Sequence, residues 1–131
     1  MKILTIENEY ASILPVFSAI ECMVFKEELD KQYCDKSQDI PWEVLNTFDA
    51  IFIDISLATR SNLDGYGILE KIKKEYPSLL PKVAIITGND KISEMLKERK
   101  LDDCHVRIFE KPLRYKEIAA FIKQSSLKST I

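Results

Sequence analysis

Glycine is scarce in this chain, at three residues, and proline hardly more frequent at five, which excludes collagen-like and low-complexity disordered classes. The cysteines Cys22, Cys34 and Cys104 are odd in number, far apart and without a Cys-x-x-Cys spacing, so neither a disulfide framework nor a structural zinc site is expected. Histidine occurs once, as His105 beside Cys104, and a lone histidine without a spaced partner reads as a loop or surface residue rather than a metal ligand. No apolar run approaches the roughly 20 residues that a membrane helix needs. The start, Met1-Lys2-Ile3-Leu4-Thr5-Ile6, turns acidic at Glu7 before a signal-peptide core can develop, so a cytoplasmic protein without membrane contact is expected. An excess of one charge is missing too: 19 basic against 21 acidic side chains leave a net charge of -2, which gives no footprint for direct nucleic-acid binding.

What is present is an ordinary globular composition, 46% hydrophobic and 31% charged, on 131 residues, enough for one core and one domain. Lys2 to Ile6 is a short apolar run ended by Glu7-Asn8-Glu9, as in a buried strand whose polar end leaves a sheet. Ile13, Phe17, Ile20 and Val24 then recur three or four residues apart, the spacing of one helical face, with Pro15 tolerable only in the first turn. A short second strand is expected over residues 29–33, followed by a short second helix that Asp39 caps, with Pro41 near its start and Trp42 and Leu45 inward. Ala50-Ile51-Phe52-Ile53 runs straight into Asp54, and a continuous apolar run of this length marks a strand covered on both faces.

A third helix carries Ile68, Leu69, Ile72 and Tyr76 and stops before Pro77; a fourth strand, Val83-Ala84-Ile85-Ile86, ends in Thr87-Gly88. Asn89 or Asp90 caps a fourth helix with Ile92, Met95 and Leu96 inward; residues 106–109 form a fifth strand, and Ile118, Phe121 and Ile122 line a fifth helix. Strand and helix alternating in this way imply a parallel sheet with helices on both faces. The domain is expected over 1–123, with 124–131, rich in Ser and Lys, as a frayed tail.

In open parallel sheets ligands bind beyond the carboxyl ends of the strands. Glu7-Asn8-Glu9 stands there after the first strand, Asp54 after the third, Thr87 after the fourth and Lys111-Pro112 after the fifth. This order resembles the response-regulator receiver family of two-component signalling over nearly the whole chain, and Asp64-Gly65 before Ile68-Leu69 resembles the segment that opens that family's third helix. The resemblance implies a flavodoxin-like (βα)5 doubly wound domain with strand order 2-1-3-4-5. It also implies a phosphorylation-dependent switch that accepts a phosphoryl group on Asp54 from a histidine kinase or phosphotransfer protein and signals through a downstream protein. Beyond self-catalysed phosphotransfer and autodephosphorylation no enzyme activity is implied, and homodimers through the fourth helix, fifth strand and fifth helix are common in such domains.

The residue types suit that chemistry without the family name. A carboxylate can attack a phosphoryl group in line once the repulsion between like charges is neutralised, and Mg2+ does this with hard oxygen ligands. Asp54, Glu7, the Asn8 side-chain oxygen and, by resemblance, the Ser56 carbonyl supply them; Lys111 and the Thr87 hydroxyl would grip the phosphate oxygens. Three features depart from the family. Asn8 stands where Asp is usual, which weakens the metal site; the loop from Asp54 to Asp64 is longer and lacks the usual proline; and Ile108 occupies the place of a switching aromatic, with Phe109 facing the other side of its strand.

These departures motivate an alternative, a pseudo-receiver acting as a constitutive interaction module without phosphate. A small α/β hydrolase of phosphate esters would need a substrate pocket and an acid for the leaving group, and neither is evident. Among duller readings, Thr87 merely ends a strand, Glu9 is solvated, Trp42 and Tyr33 pack, and residues 91–100 form a solvated helix face.

Overall fold

The computed structural model describes residues 1–55, 61–88 and 91–129. Five parallel strands, β1 (Lys2–Ile6), β2 (Asp30–Cys34), β3 (Ala50–Asp54), β4 (Val83–Thr87) and β5 (Arg107–Glu110), lie in the order β2-β1-β3-β4-β5. Every residue of β3 and β4 is buried, because helices cover both faces of the sheet. Side-chain alternation sends Ile51, Ile53, Val83 and Ile85 to one face, where Ile68, Leu69 and Ile72 of α2 (Gly65–Glu75) and Leu96 of α3 (Ile92–Glu98) meet them. Phe52, Ala84 and Ile86 point the other way. They pack with Ile13, Phe17 and Ile20 of α1 (Tyr10–Ile20) and with Ile118, Phe121 and Ile122 of α4 (Tyr115–Ser129). Phe52 fixes that layer with edge contacts to Phe17 and Phe121, at ring distances of 5.7 and 5.6 Å.

The chain passes from β1 to an edge strand and returns to β3 on the opposite side, so a crevice opens between the carboxyl ends of β1 and β3. The register pairs Ile6 with Ile53, Asp54 with Ile86 and Thr87 with Glu110, which brings the residues that leave all these strands to one end of the sheet. No helix among the described residues is long and apolar enough to cross a membrane.

Three local expectations change. Pro15 is the sixth residue of α1, past its first turn, and the helix runs on into a π-helical turn, Glu21–Phe25, closed by Lys26 in the left-handed region at φ 57°. The second helix is replaced by two 3₁₀ segments, Ser37–Asp39 and Trp42–Thr47, with Val44 non-helical between turns. Ile40 stands before Pro41, whose ring drives the preceding residue into the extended region, at ψ 130°, and this separates the two segments. The stretch expected to fray begins inside α4, which continues to Ser129 with the Ser125 side chain buried and bonded to the Ile122 carbonyl. Residues 89 and 90, one of which was expected to cap the fourth helix, lie outside the described residues.

Lys82 secures the 3₁₀ segment from below. Its buried ammonium donates to the carbonyls of Asn46, at 3.2 Å, and Phe48, at 3.1 Å. Lys82→Met keeps the stem and removes both donors, so a loss of about 1–3 kcal/mol is expected, read as a lower urea midpoint with an unchanged slope.

Candidate phosphoacceptor site

The ends of β1, β3, β4 and β5 each deliver a group. The Glu7 amide donates to the Cys34 carbonyl at 3.0 Å, extending the ladder between β1 and β2 by one residue and turning its side chain into the crevice, where it is wholly buried. Its Oε1 accepts from the Glu9 amide at 3.1 Å. Asp54, the last residue of β3, is 4% exposed. Lys111 follows β5; its amide donates to the Thr87 carbonyl at 2.8 Å, and its Nζ lies 3.1 Å from Glu7 Oε2 and 3.6 Å from Asp54 Oδ2. Thr87 closes β4 at the same end and is fully buried.

Two carboxylates under one ammonium cannot both be comfortable. Burial, then a hydrogen bond and repulsion from Asp54, push the Glu7 carboxyl up from 4.5 to about 7, against the lowering pull of the Glu9 amide and Lys111. Burial opposes the charge on Lys111, but Asp54 and Glu7 outweigh it and hold the ammonium above the ordinary lysine range. Asn8 completes the set, in an unexpected sense. Its amide nitrogen, not its oxygen, faces the site and donates to Glu7 Oε1 and Asp54 Oδ2 at 3.2 Å each, because an oxygen there would meet only other acceptors. In this orientation the Asn8 nitrogen binds the two acids, and its oxygen would face a cation only after the amide turns over.

A divalent cation would find two carboxylates here, and among the described residues no group of three or more His, Cys, Asp or Glu side chains converges. Glu7 Oε2 is buried and has no aligned hydrogen bond, only the ammonium beside it, and such an oxygen is ready to take a hard cation if Lys111 withdraws. The donor set therefore fits Mg2+, with neutral oxygens completing the shell. Ser56, expected to add a carbonyl, lies outside the described residues.

Elsewhere the structure separates what sequence order left ambiguous. Glu9 is exposed, and only its backbone reaches the site. Phe109 is buried among Ile3, Phe52 and Phe121, whereas Ile108 packs on the opposite face, as strand alternation requires. Of two further contributors, Gly65 belongs to the Asp64-Gly65 segment named from the sequence, whereas Arg99 carried no sequence signal. Gly65 lies against the backbone of Asp54 and Ile55, and Arg99 reaches the first turns of α2 from the far end of α3. Asp64 does cap α2, accepting from the Gly67 amide at 2.7 Å.

No family model matches the chain, and no curated protein matches it. Solved structures do. The receiver domain of NtrX from Brucella abortus superposes with a TM-score of 0.71 at 21% identity, covering 95% of this chain and 98% of that one. A response regulator receiver domain protein from Clostridium thermocellum gives 0.71 at 21%, covering 98% and 96%. Against a longer NtrX chain the TM-score is 0.70 at 22%, and 98% of this chain spans only 27% of that one. The strand order, the two-faced core and these superpositions agree, and the chain has the fold of response-regulator receiver domains.

Proposed function

We propose that this chain is a phosphorylation-dependent signalling switch in which Asp54 accepts a phosphoryl group from a histidine kinase or phosphotransfer protein in the cytoplasm. The observation that carries this reading is the position of the Lys111 ammonium, 3.1 Å from Glu7 and 3.6 Å from Asp54, in a crevice where both acids are buried. An Asp54 oxygen attacks phosphorus in line as the bond from phosphorus to the donor's nitrogen breaks, and that nitrogen keeps the electron pair and takes up a proton. Glu7 and Asp54, with Asn8 turned over, would hold Mg2+, which supplies neutralising charge for the approaching phosphoryl group.

Lys111 leaves Glu7 to grip a phosphate oxygen, and the Thr87 hydroxyl grips another; both sit where β4 and β5 end, so the phosphate biases the packing of α3 and β5. A downstream protein reads that change, and a second copy can bind through α3, β5 and α4. No role as an enzyme is proposed beyond self-catalysed transfer and loss of the phosphoryl group.

Three outcomes check this. Incubation with a small acyl phosphate and Mg2+, followed by intact mass, is expected to add one phosphoryl group to the protein and none to Asp54→Asn; absence of addition with every donor tried returns the chain to the pseudo-receiver reading. Asn8→Asp replaces a donor by a carboxylate and is expected to tighten Mg2+ binding roughly tenfold by calorimetric titration.

The third outcome is a pH dependence. A Glu7 carboxyl titrating at about 7 is protonated below that pH and cannot hold a cation, so Mg2+ affinity and phosphoryl uptake rise through pH 7. Stability runs the opposite way: the folded value lies above the unfolded 4.5, so the contribution is full below pH 4.5 and is lost as pH rises through about 7. Denaturant titrations should fall by on the order of 2–3 kcal/mol across that window and lose the slope in Glu7→Gln.

A further inference from the structure

Ile55, directly after Asp54, donates its amide to the Ile86 carbonyl at 3.0 Å. Against this peptide lies Gly65, the first residue of α2: a Cβ built on it would stand 2.5 Å from the Ile55 Cα and 2.6 Å from the Asp54 carbonyl oxygen. Only glycine allows so close an approach, so the first turn of α2 is the wall on which the Asp54 backbone rests.

That wall is held from another element by one side chain. Arg99 follows α3, with its amide bonded to the Met95 carbonyl at 3.1 Å. Its Nε donates to Glu70 Oε1 at 2.8 Å, its Nη1 pairs with Asp64 Oδ2 at 3.5 Å, and its guanidinium lies 5.2 Å from the centre of the Tyr66 ring. Asp64 therefore has two tasks: Oδ1 caps the helix at Gly67 while Oδ2 answers to Arg99. A single ion pair as exposed as these carries little weight, but one planar fork meeting two carboxylates and a ring fixes the rotamer of the cap.

We propose that Arg99 is a positioning residue for the Asp54 site: by gripping Asp64, Tyr66 and Glu70 it seats the first turn of α2 against the Asp54–Ile55 peptide and couples the acceptor to the position of α3. The acceptor role of Asp54 is the reading given above; the mechanical link stands apart from it. Lys73 provides a control between α2 and the segment that follows α3. It binds Asp103 Oδ1 at 2.7 Å and the Lys100 carbonyl at 2.8 Å, but from the far end of α2, away from Gly65.

Arg99→Gln, Arg99→Lys and Lys73→Gln, each checked for a cooperative thermal transition, are compared by amide hydrogen exchange at Ile55 and Gly67 and by the rate of phosphoryl uptake from a small acyl phosphate with Mg2+. In Arg99→Gln both amides are expected to exchange faster and uptake to slow roughly three- to tenfold, with partial recovery in Arg99→Lys and wild-type behaviour in Lys73→Gln. Wild-type exchange in Arg99→Gln, equal acceleration in Lys73→Gln, or an unchanged uptake rate where the wild type is phosphorylated overturns the proposal. If the wild type takes up no phosphoryl group, the acceptor reading fails while exchange still decides the role of Arg99. Should Arg99→Gln not fold, Arg99→Lys against Lys73→Gln decides by the same criterion.

Discussion

Two acids leave neighbouring strands into the same crevice, and a single ammonium from a third strand end lies between them. Taking Glu7 and Asp54 out of water is costly, and their mutual repulsion in a poorly solvated crevice adds to the cost. Lys111 offsets part of this, the Asn8 amide and the Glu9 backbone offset more, and the remainder is stored as a carboxyl that prefers its proton near neutral pH. Such a site is unsatisfied by construction. It gains from whatever brings further positive charge to the two acids.

The fold makes that arrangement affordable by placing it at the end of a sheet whose interior is mostly apolar. β3 and β4 contribute ten buried residues between them, five each, and the two side-chain layers lock the strands so that Asp54 and Thr87 end at fixed heights. The supports of the crevice are polar and local. Ser37 ties the segment after β2 to residues 61–63 through its amide, which donates to Ser61 Oγ at 2.8 Å, and its hydroxyl, which accepts from the Leu63 amide at 2.8 Å. Arg99 holds the start of α2 from the other side. A rigid sheet with pinned loops gives the site its geometry.

Much of this was legible in the chain. Continuous apolar runs at Ala50-Ile51-Phe52-Ile53 and Val83-Ala84-Ile85-Ile86 required strands buried on both faces, and their alternation with helical periodicities led to a parallel sheet; the polar residue ending each run marked the crevice. The second crossover was misread because Asp39, Pro41 and Trp42 satisfy local rules for a helix start, while the burial of Ile40, Leu45 and Phe48 depends on a sheet surface formed by distant residues. The helical run of α4 past Lys123 was missed for a similar reason: Ser125 is polar by type and buried only because of what it packs against.

The sequence alone determined which chemical groups stand at the strand ends, because period and polarity are local properties of the chain. Tertiary structure alone decided how they meet: that Lys111 spans both acids, that Asn8 offers its nitrogen rather than its oxygen, that Gly65 must be glycine and that Arg99 reaches Asp64 across 35 positions of sequence. Distances and desolvation set these, and both exist only once separate segments exclude water from a shared space.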